Sequence, residues 1–364
     1  MAVRRHPGVR FVALLSALAL MAVVAACGDD DTDSSSSSES GSEGAEGAEA
    51  SDELIPLKVS RSDPMWLEAS FQLIADEFGW YEEAGIDPEW ITASTSGTMA
   101  QVFAAGELEV CYCGFGQSVE LAGLGNGKII SIPIKNYTYQ LIAGGDSGVE
   151  EIEDLEGHTI GVSAPGGASE THLLVAFARA GGDPSKVQSV AIGGATERTA
   201  ALLNGSIDAT LQIYWQVAQI LRDNPDLHVV VDDMQEYLAD GYSTTVYVAS
   251  NPAIEDKGEA IEAFLGVNAR AVRWIVENPE EAAQMVIDND WLPGIEAEFV
   301  EEGFQRAVDA DIWPLDQELT EEEYDLTMDE LLEYTPDQFS AEHSYEDVVD
   351  PSFNEAALEE VGRA

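Results

Sequence analysis

The stretch that decides the fold is LKVSRSDPMWLEASFQLIADEFGWYEEAGIDPEWITAS, residues 57–94. Its ends (57–62 and 88–94) have the composition of strands, and apolar residues recur at helical spacing through 67–85. The same alternation continues through TMAQVFAAGE (98–107), LEVCYCG (108–114), QSVELAGLGNG (117–127) and IISIPIK (129–135). Alternating strands and helices predict an α/β fold with a parallel-rich sheet covered by helices on both faces.

A second run of the same kind begins after YQLIAGG, residues 139–145. Its elements are predicted at 153–163, 168–182, 187–193, 195–205, 207–214, 215–224 and 228–233. From Pro252 onward the pattern is nearly all helical, and these helices are expected to pack on the first lobe.

The prediction is a two-lobed clamshell, because the roughly 310 residues after the N-terminal tract exceed what one core usually serves. Lobe 1 is expected at 53–143 plus 249–364 and lobe 2 at 144–248. The chain is expected to cross between the lobes at 141–144 and 247–250. Ligands of open α/β sheets bind outside the carboxyl ends of the strands, so the cleft between the lobes is the predicted site.

The N-terminus is typical of a secretory signal peptide, predicted at 1–26. Arg4, Arg5 and Arg10 precede an uncharged run of about sixteen residues, which is shorter than the ~20 of a membrane-spanning helix. Small residues lead directly to Cys27, which is predicted to be the lipid-modified first residue of a lipoprotein. An ordinary secretory signal with a chance cysteine is the alternative.

Residues 27–52 contain GDDDTDSSSSSESGSEGAEGAEASD, with no aromatic or branched aliphatic side chain. Such a tract cannot repay the entropy of ordering, so it is predicted to be a disordered tether between the anchor and the folded part.

The chain is strongly acidic, with 16 basic against 69 acidic residues and a net charge of −53. Removal of residues 1–26 takes away three arginines and no acid, which leaves 13 basic against 69 acidic residues, a net charge of −56. A field of this sign repels phosphate, so nucleic acid and anionic lipid surfaces are disfavoured partners.

Cys111 and Cys113 lie two residues apart in CYCGFG. On a strand they share a face but point in parallel, which does not suit a mutual disulfide. The histidines are scattered, so no metal site is predicted and a structural role is favoured, with pocket lining and metal or redox chemistry as the alternatives.

Four phrases in order resemble the nitrate, sulfonate and taurine group of bacterial solute-binding proteins, which includes binders of thiamine-pyrimidine precursors. They are FGWYEEAGID (78–87), SGTMAQVFAAGELEVCYCG (96–114), EDLEGHTIGVSAPGGASETHLL (153–174) and GGATERTAALLNGSIDAT (193–210). The resemblance covers about 57–290. It implies a type II-like periplasmic-binding fold, no catalysis, no cofactor, and delivery of a small ligand to an ABC permease and its ATPase.

The resemblance also implies a binding face at two helix N-termini. Ser96, Gly97 and Thr98 form one part, and Gly166, Gly167, Ala168 and Ser169 form the other. An N-cap with a turn, and a flexible loop, are the ordinary alternatives for these clusters. Glu170 suits the helix dipole but would oppose a bound anion, and could serve a ligand amine.

Five aromatic residues stand at predicted cleft edges, where a ring could stack on a ligand: Trp66, Phe115, Tyr137, Tyr214 and Trp215. Each could also be ordinary packing, but together they favour an organic ligand. Arg61 and Arg198 are candidate ion-pairing residues or simply solvated.

The predicted function is that of a monomeric extracytoplasmic lipoprotein, held at the outer face of the cell membrane, that captures a small polar or anionic organic ligand. Sulfonate or taurine, nitrate-like, aromatic-acid and pyrimidine-precursor ligands stay open. A pyrimidine-synthesising enzyme on the same fold and a ligand sensor are the alternatives. No P-loop, G-x-S-x-G or HExxH motif supports an enzyme.

Overall fold

The computed structural model describes residues 54–62, 67–93, 95–136, 139–338 and 342–364. The predicted signal peptide, Cys27 and the tether lie outside these described residues. The same is true of Trp66 and Tyr137, two of the predicted site residues.

The described strands alternate with helices as the sequence pattern predicts. The strands are β1 (Ile55–Ser62), β2 (Ile86–Ala93), β3 (Val110–Gly114), β4 (Gly127–Lys135), β5 (Tyr139–Gly144), β6 (Thr159–Val162), β7 (Gln188–Ala191), β8 (Ala209–Ile213), β9 (Leu227–Val231) and β10 (Ser243–Ser250).

The helices cover the faces of the sheets and fill the C-terminal third. They are α1 (Ser70–Glu77), α2 (Trp80–Glu83), α3 (Ser96–Ala104), α4 (Phe115–Gly123), α5 (Ala168–Arg179), α6 (Ala195–Leu203), α7 (Tyr214–Asp223), α8 (Asn251–Asp256), α9 (Gly258–Glu277), α10 (Pro279–Asp288), α11 (Ala297–Asp309), α12 (Glu321–Tyr334), α13 (Tyr345–Val348) and α14 (Ser352–Val361). Short 3₁₀ helices include Leu67–Ala69, directly before α1.

The predicted helix over 67–85 is interrupted in the structure. It comprises the 3₁₀ turn, α1 and α2, and Gly79 between α1 and α2 has φ 72°. This left-handed conformation suits glycine and ends an α-helix, which explains why one apolar stripe is carried by separate helices.

Two five-stranded mixed sheets define the two lobes, with strand orders β2-β1-β3-β10-β4 and β7-β6-β8-β5-β9. In the first sheet, β1 pairs in parallel with β2 along its whole length, from Ile55 opposite Ile86 to Ser62 opposite Ala93. The strands β10 and β5 occupy the same place in their sheets, and each pairs antiparallel with both of its neighbours. The α/β clamshell prediction is confirmed, with one antiparallel strand in each sheet.

The crossings between the sheets lie a few residues earlier than the sequence pattern predicts. The predicted crossings at 141–144 and 247–250 fall inside β5 and β10. The chain instead leaves the first sheet where β4 ends at Lys135 and joins the second at Tyr139 in β5, and it returns to the first sheet at Ser243 in β10. The sequences of β5 and β10 are those of ordinary apolar strands, and hydrophobic periodicity does not show which sheet a strand joins.

The sequence analysis expected the C-terminal helices to pack on lobe 1, but only some of them do. Helices α9 and α14 pack on lobe 1: α9 contacts α1, α2, β1 and β2, and α14 contacts β4. In contrast, α11 packs on α7 and α12 packs on α5, both of which belong to lobe 2. Helical periodicity predicts which face of a helix is apolar, but not which neighbour covers that face.

The segment between α11 and α12 is anchored on lobe 1. The N–H of Lys135 donates to the carbonyl of Ile312 at 2.8 Å, and the N–H of Ile132 donates to that of Gln317 at 3.0 Å. Residues 296–338 are here called the C-terminal brace. The middle of the brace is hydrogen-bonded to the edge strand β4 of sheet 1, and its two helices, α11 and α12, contact lobe 2 at α7 and α5.

Candidate functional site

The lobes meet most closely along a line of small residues, here called the glycine seam. A Cβ built on Gly97 of α3 would lie 2.7 Å from the Cβ of Ala164 in lobe 2. A Cβ on Gly114 would lie 3.6 Å from the backbone nitrogen of Ala168. The seam comprises Ser96, Gly97 and Gly114 from lobe 1 and Ala164, Gly167 and Ala168 from lobe 2.

Helices from both lobes begin at this junction, at the carboxyl ends of their strands. The N-cap residues of α4 and α5 are Gly114 and Gly167, and neither supplies a side-chain cap. In lobe 2, α6 and α7 also begin without a side-chain cap, at Gly194 and Ile213. Their first backbone N–H groups and dipole ends suit polar oxygen atoms of a ligand.

The structure brings together the two predicted clusters, Ser96–Gly97 and the glycines of the α5 loop, on opposite sides of the seam. Thr98 differs from its neighbours, because its side chain is exposed and its hydroxyl lies 3.0 Å from that of Thr95. Thr95 is the N-cap of α3, accepting a hydrogen bond from the N–H of Thr98 at 3.1 Å. Thr98 therefore belongs to the cap, and ligand contact by its neighbours stays a prediction.

The loop before α5 is held by its own polar groups. Ser169 is buried; its hydroxyl accepts from the N–H of Ser163 at 2.8 Å and lies 2.9 Å from the hydroxyl of that residue. The carboxylate of Glu170 accepts from the N–H of Gly166 at 2.7 Å and from the amide of Gln338 at 3.1 Å. Glu170 thus closes the loop and links it to the end of the brace.

Of the predicted aromatic residues, Phe115 and Tyr214 contact the brace. The ring of Phe115 packs 5.6 Å from that of Tyr324, and the hydroxyl of Tyr214 donates to the carbonyl of Gly303. The guanidinium of Arg306 lies 4.9 Å over the ring of Tyr214. In the described conformation both rings are therefore engaged within the protein.

Trp215 is 3% exposed, and its indole N–H finds no acceptor within the described residues. It lines a cavity of about 220 Å³ between α7 and α11, together with Gln140, Asp232, Phe299, Glu302 and Arg306. A buried donor without an acceptor is costly, so Trp215 is a residue to test for ligand contact.

Sequence analysis missed a buried polar cluster between the lobes, here called the interlobe cluster: Glu68, Tyr112, Tyr139, His172 and Tyr242. Glu68, in the 3₁₀ turn before α1, is 1% exposed, and its backbone carbonyl accepts from the indole of Trp313 at 2.8 Å. The ring of His172 stands 5.1 Å from Tyr139 and 5.4 Å from Tyr242. The cluster joins lobe 1 to lobe 2 next to the crossings.

The charge of Glu68 acts on tyrosines of both lobes. Burial raises the pKa of Tyr112 well above its usual range, and the charges of Tyr247 and Glu68 raise it further. Burial also raises the pKa of Tyr139, where Arg198 opposes and Glu68 adds to the effect. The same two causes, burial and then Glu68, raise the pKa of Tyr214. The sequence signal for this cluster was the single acid inside the apolar run MWLEASFQLIA.

Arg198 and Arg61 occupy different environments. Arg198 is 4% exposed and donates to the backbone carbonyls of Gly193 at 2.6 Å and Leu211 at 3.2 Å. Arg61 lies 4.9 Å over the ring of Trp90 on the edge strand β2. Arg198 therefore stands in the wall of lobe 2, whereas Arg61 packs at the sheet edge.

Cys111 and Cys113 form a disulfide in the structure, so the expectation that they do not pair was wrong. Their Cα atoms are 5.4 Å apart, less than the roughly 6.6 Å that two steps of an extended strand span, so β3 is locally contracted. Both side chains are fully buried beside Met99, Phe103 and Val248. Within the described ranges no group of three or more His, Cys, Asp or Glu side chains is placed to hold a metal ion.

This geometry, two mixed sheets joined by two crossings with helix N-termini meeting between them, is that of a periplasmic-binding-protein fold. The chain belongs to the NMT1/THI5-like family, whose model matches residues 67–282, more than half of the chain. In the part of the chain that the structure describes, no helix has both the length and the apolar character needed to span a membrane.

Similar proteins are binding proteins. A protein of Brucella abortus described as a binding protein is 26% identical over 232 residues, which cover 64% of this chain and 70% of that protein. A formylaminopyrimidine-binding protein of Halalkalibacterium halodurans is 23% identical over 223 residues, 60% of this chain and 66% of its own. The periplasmic nitrate-binding protein of Synechocystis has the same fold, with a TM-score of 0.67, 13% identity, and coverage of 85% of this chain and 90% of its own.

Proposed function

We propose that this protein is the extracytoplasmic solute-binding lipoprotein of an ABC importer. It captures a small polar organic molecule between its lobes and delivers it to the permease and ATPase. The observation that carries the proposal is the glycine seam, where helix N-termini of both lobes approach to within one side-chain layer. The binding proteins among its relatives support the same conclusion.

The mechanism is a hinge motion about the two crossings between the sheets, one between β4 and β5 and one before β10. A ligand that contacts both lobes stabilises the closed form, because only differential affinity for that form can shift the equilibrium. Small side chains at Gly97 and Ala164 permit the close approach that closure requires. The closed protein then docks on the permease.

An organic ligand is favoured over a bare inorganic anion. The interlobe cluster supplies aromatic rings from both lobes, and Trp215 adds an indole N–H without an acceptor within the described residues. The formylaminopyrimidine-binding relative supports a ring-bearing ligand, whereas the nitrate-binding neighbour shares only the fold. Pyrimidine precursors and aromatic acids therefore rank above sulfonate, taurine and nitrate.

The test of capture is a thermal-shift screen of the full chain, purified in detergent, at several salt concentrations. The panel contains pyrimidines, aromatic acids, taurine, alkanesulfonates and nitrate. A native-state binder raises Tm by mass action, about 2.7 kcal/mol of added stability at a hundredfold excess over Kd. A selective rise together with compaction in X-ray scattering supports the proposal. Absence of any shift across the whole panel would count against it.

Anchoring through Cys27 is tested separately from capture. Cys27→Ser removes the acceptor of the lipid, so the protein is expected in the medium instead of the membrane fraction, with its ligand affinity unchanged. Ser36→Ala, in the same polar N-terminal tract, is the matched control, because it leaves Cys27 in place. Membrane retention of the Cys27→Ser protein would contradict lipid anchoring without affecting the proposal of solute capture.

A further inference from the structure

A cavity of about 440 Å³ lies beside the glycine seam and is here called the seam cavity. Its lining comes from α3 and α4 of lobe 1, from residues 164–166 in the loop before α5 of lobe 2, and from Gln338 at the end of the C-terminal brace. Because both lobes line the cavity, a molecule held there contacts both of them. Such a molecule favours the closed form over the open one.

The lining contains two side-chain carboxamides whose oxygen atoms are buried and accept no hydrogen bond within the described residues. They are Oε1 of Gln117, in the first turn of α4, and Oε1 of Gln338. The amide nitrogen of Gln338 donates to the carboxylate of Glu170 at 3.1 Å, and since a carboxylate only accepts, this bond fixes which end of the amide is the oxygen. A buried acceptor without a donor is costly, so an N–H group brought by a ligand would stabilise either oxygen.

The amide of Gln117 lies against the seam itself. A Cβ built on Gly97 would lie 3.3 Å from its Nε2, and one built on Gly114 would lie 3.3 Å from its Oε1. The side chain is half-buried, so a rotation of its flexible end is enough to present either atom to the cavity. Lobe 1 therefore places a group that can both donate and accept where Ala164 of lobe 2 comes closest.

The charge of the lining disfavours an ionic occupant. The described lining residues include no Lys, Arg or His, so a bound sulfonate or carboxylate would lose its hydration without gaining a counter-ion. Glu120 is the one acid among them, and it already has an interaction within the protein. The rest of the lining is largely apolar and suits a ring, with side chains that include Ala100, Leu121, Leu124 and Pro165.

We propose that the seam cavity is a binding subsite for an uncharged carboxamide or lactam, and that Gln117 and Gln338 are its specificity-determining residues. This inference rests on the proposed function and narrows its ligand class. The two glutamine oxygens accept hydrogen bonds from the N–H groups of the ligand, and the amide nitrogen of Gln117 donates to its carbonyl. The apolar side chains of α3 and α4 cover its ring.

The test uses four probes that share a pyridine ring substituted at the same position. Nicotinamide is uncharged and has N–H donors, methyl nicotinate is uncharged and has none, nicotinate is an anion, and 3-picolylamine is a cation. Their dissociation constants are measured by calorimetry at pH 7 on the full chain in detergent. Nicotinamide is expected to bind at least about tenfold more tightly than each of the others, the value of one added hydrogen bond.

Gln117→Met keeps the length of the side chain and removes its amide, so the preference for nicotinamide over methyl nicotinate should fall below about threefold. Gln338→Met should lower the same preference, and provides a second test if the first variant folds poorly. The control is Gln284→Met on the exposed face of α10, which should keep the selectivity of the unmodified protein.

Glutamines with a purely structural role would change Tm on substitution but leave the ratio of the two dissociation constants unchanged, which would overturn the inference. Tighter binding of nicotinate or 3-picolylamine, or failure of nicotinamide to bind, would also overturn it. In each of these cases a sulfonate, an aromatic acid or another molecule that raises Tm in the wider screen would leave the proposed function intact.

Discussion

Two regions hold the lobes together, and they do so by opposite means. The glycine seam brings backbone to backbone, with Gly97 facing Ala164 at a distance that leaves no room for another carbon atom. The C-terminal brace instead uses long side chains, including the ion pairs Arg306–Asp232, Arg179–Glu330 and Arg222–Glu296. The seam joins elements that follow the strands directly, whereas the brace comes from the last third of the chain.

The difference predicts how each region responds to change. Packed backbone cannot adjust to an added methyl group without separating the lobes, so the seam should behave as all-or-none. Arginine and glutamate side chains can rotate and remain solvated, so the brace should respond by small, salt-dependent steps. Substitutions in the two regions therefore separate the requirements of closure from those of stability.

The largest effect is expected at Gly97. In Gly97→Val the side chain would enter the space of Ala164 and penalise mainly the closed form, at about 3 kcal/mol, because the other close neighbour, Gln117, has a flexible side chain. This corresponds to a loss of ligand affinity of roughly a hundredfold. Gly97→Ala should give an intermediate loss, measured by calorimetry with whichever molecule the screen identifies.

The matched control is Gly258→Ala at the start of α9, where an added Cβ would lie an ordinary 3.6 Å from Phe353. It should leave affinity unchanged. Equal affinity of the Gly97 and Gly258 variants would show that the lobes do not close along the seam.

The seam is the part of the candidate site whose position in the fold sequence could predict; ligand contact there stays a prediction. Ser-Gly and Gly-Gly pairs between a strand and a helix are local signals of a helix N-terminus. The preceding strand indicates that this N-terminus lies at the carboxyl end of the sheet. Brace contacts could not be predicted in this way, since Phe115 and Tyr214 meet Tyr324 and Gly303 from distant segments. These two aromatics were predicted at the cleft edge, but a periodicity does not reveal that a C-terminal helix covers them.

The fold was predictable because alternating strands and helices leave few topologies. The exchange of β5 and β10 between the lobes was not, because both are short apolar strands that suit either sheet. Glu68 shows the same limit at the site. Its position in an apolar run was visible, but its neighbours Tyr112 and Tyr139 come from other strands and, in the case of Tyr139, the other lobe.

A smaller effect, on stability, is expected at the brace ion pair whose carboxylate is buried. Arg179 of α5 pairs with Glu330 of α12, whose side chain is only 8% exposed. Arg179→Met leaves that carboxylate without its cation and should lower the free energy of unfolding by about 1–2 kcal/mol. Urea denaturation measures the loss. Arg363→Gln, which breaks the exposed pair with Glu318, serves as control and should cost less than about 1 kcal/mol.

The same pair should give the brace a pH dependence. Burial raises the pKa of Glu330 above its usual value of 4.5, and Arg179 opposes this rise. The folded protein therefore keeps this proton to higher pH than the unfolded chain does, so this group's contribution to stability falls as the pH rises from about 4.5 through the raised pKa. Glu330→Gln should flatten that part of the profile, measured as Tm between pH 4 and 7. If the Tm of the unmodified protein and that of Glu330→Gln change in parallel between pH 4 and 7, the pKa of Glu330 is not raised and its side chain is solvated.

The smallest effect is expected at the exposed end of the brace, where Arg222 of α7 pairs with Glu296 before α11. Their side chains are 39% and 57% exposed, so water and salt screen the attraction. A double-mutant cycle with Arg222→Gln and Glu296→Gln should give a coupling energy of about 0–1 kcal/mol that vanishes in 1 M salt. The acidity of the chain makes the cycle necessary, because a single Arg222→Gln change also adds to the self-repulsion of the whole molecule. A salt-independent coupling above 2 kcal/mol would mean that this pair is buried in solution, and that the brace fixes the lobes as rigidly as the seam does.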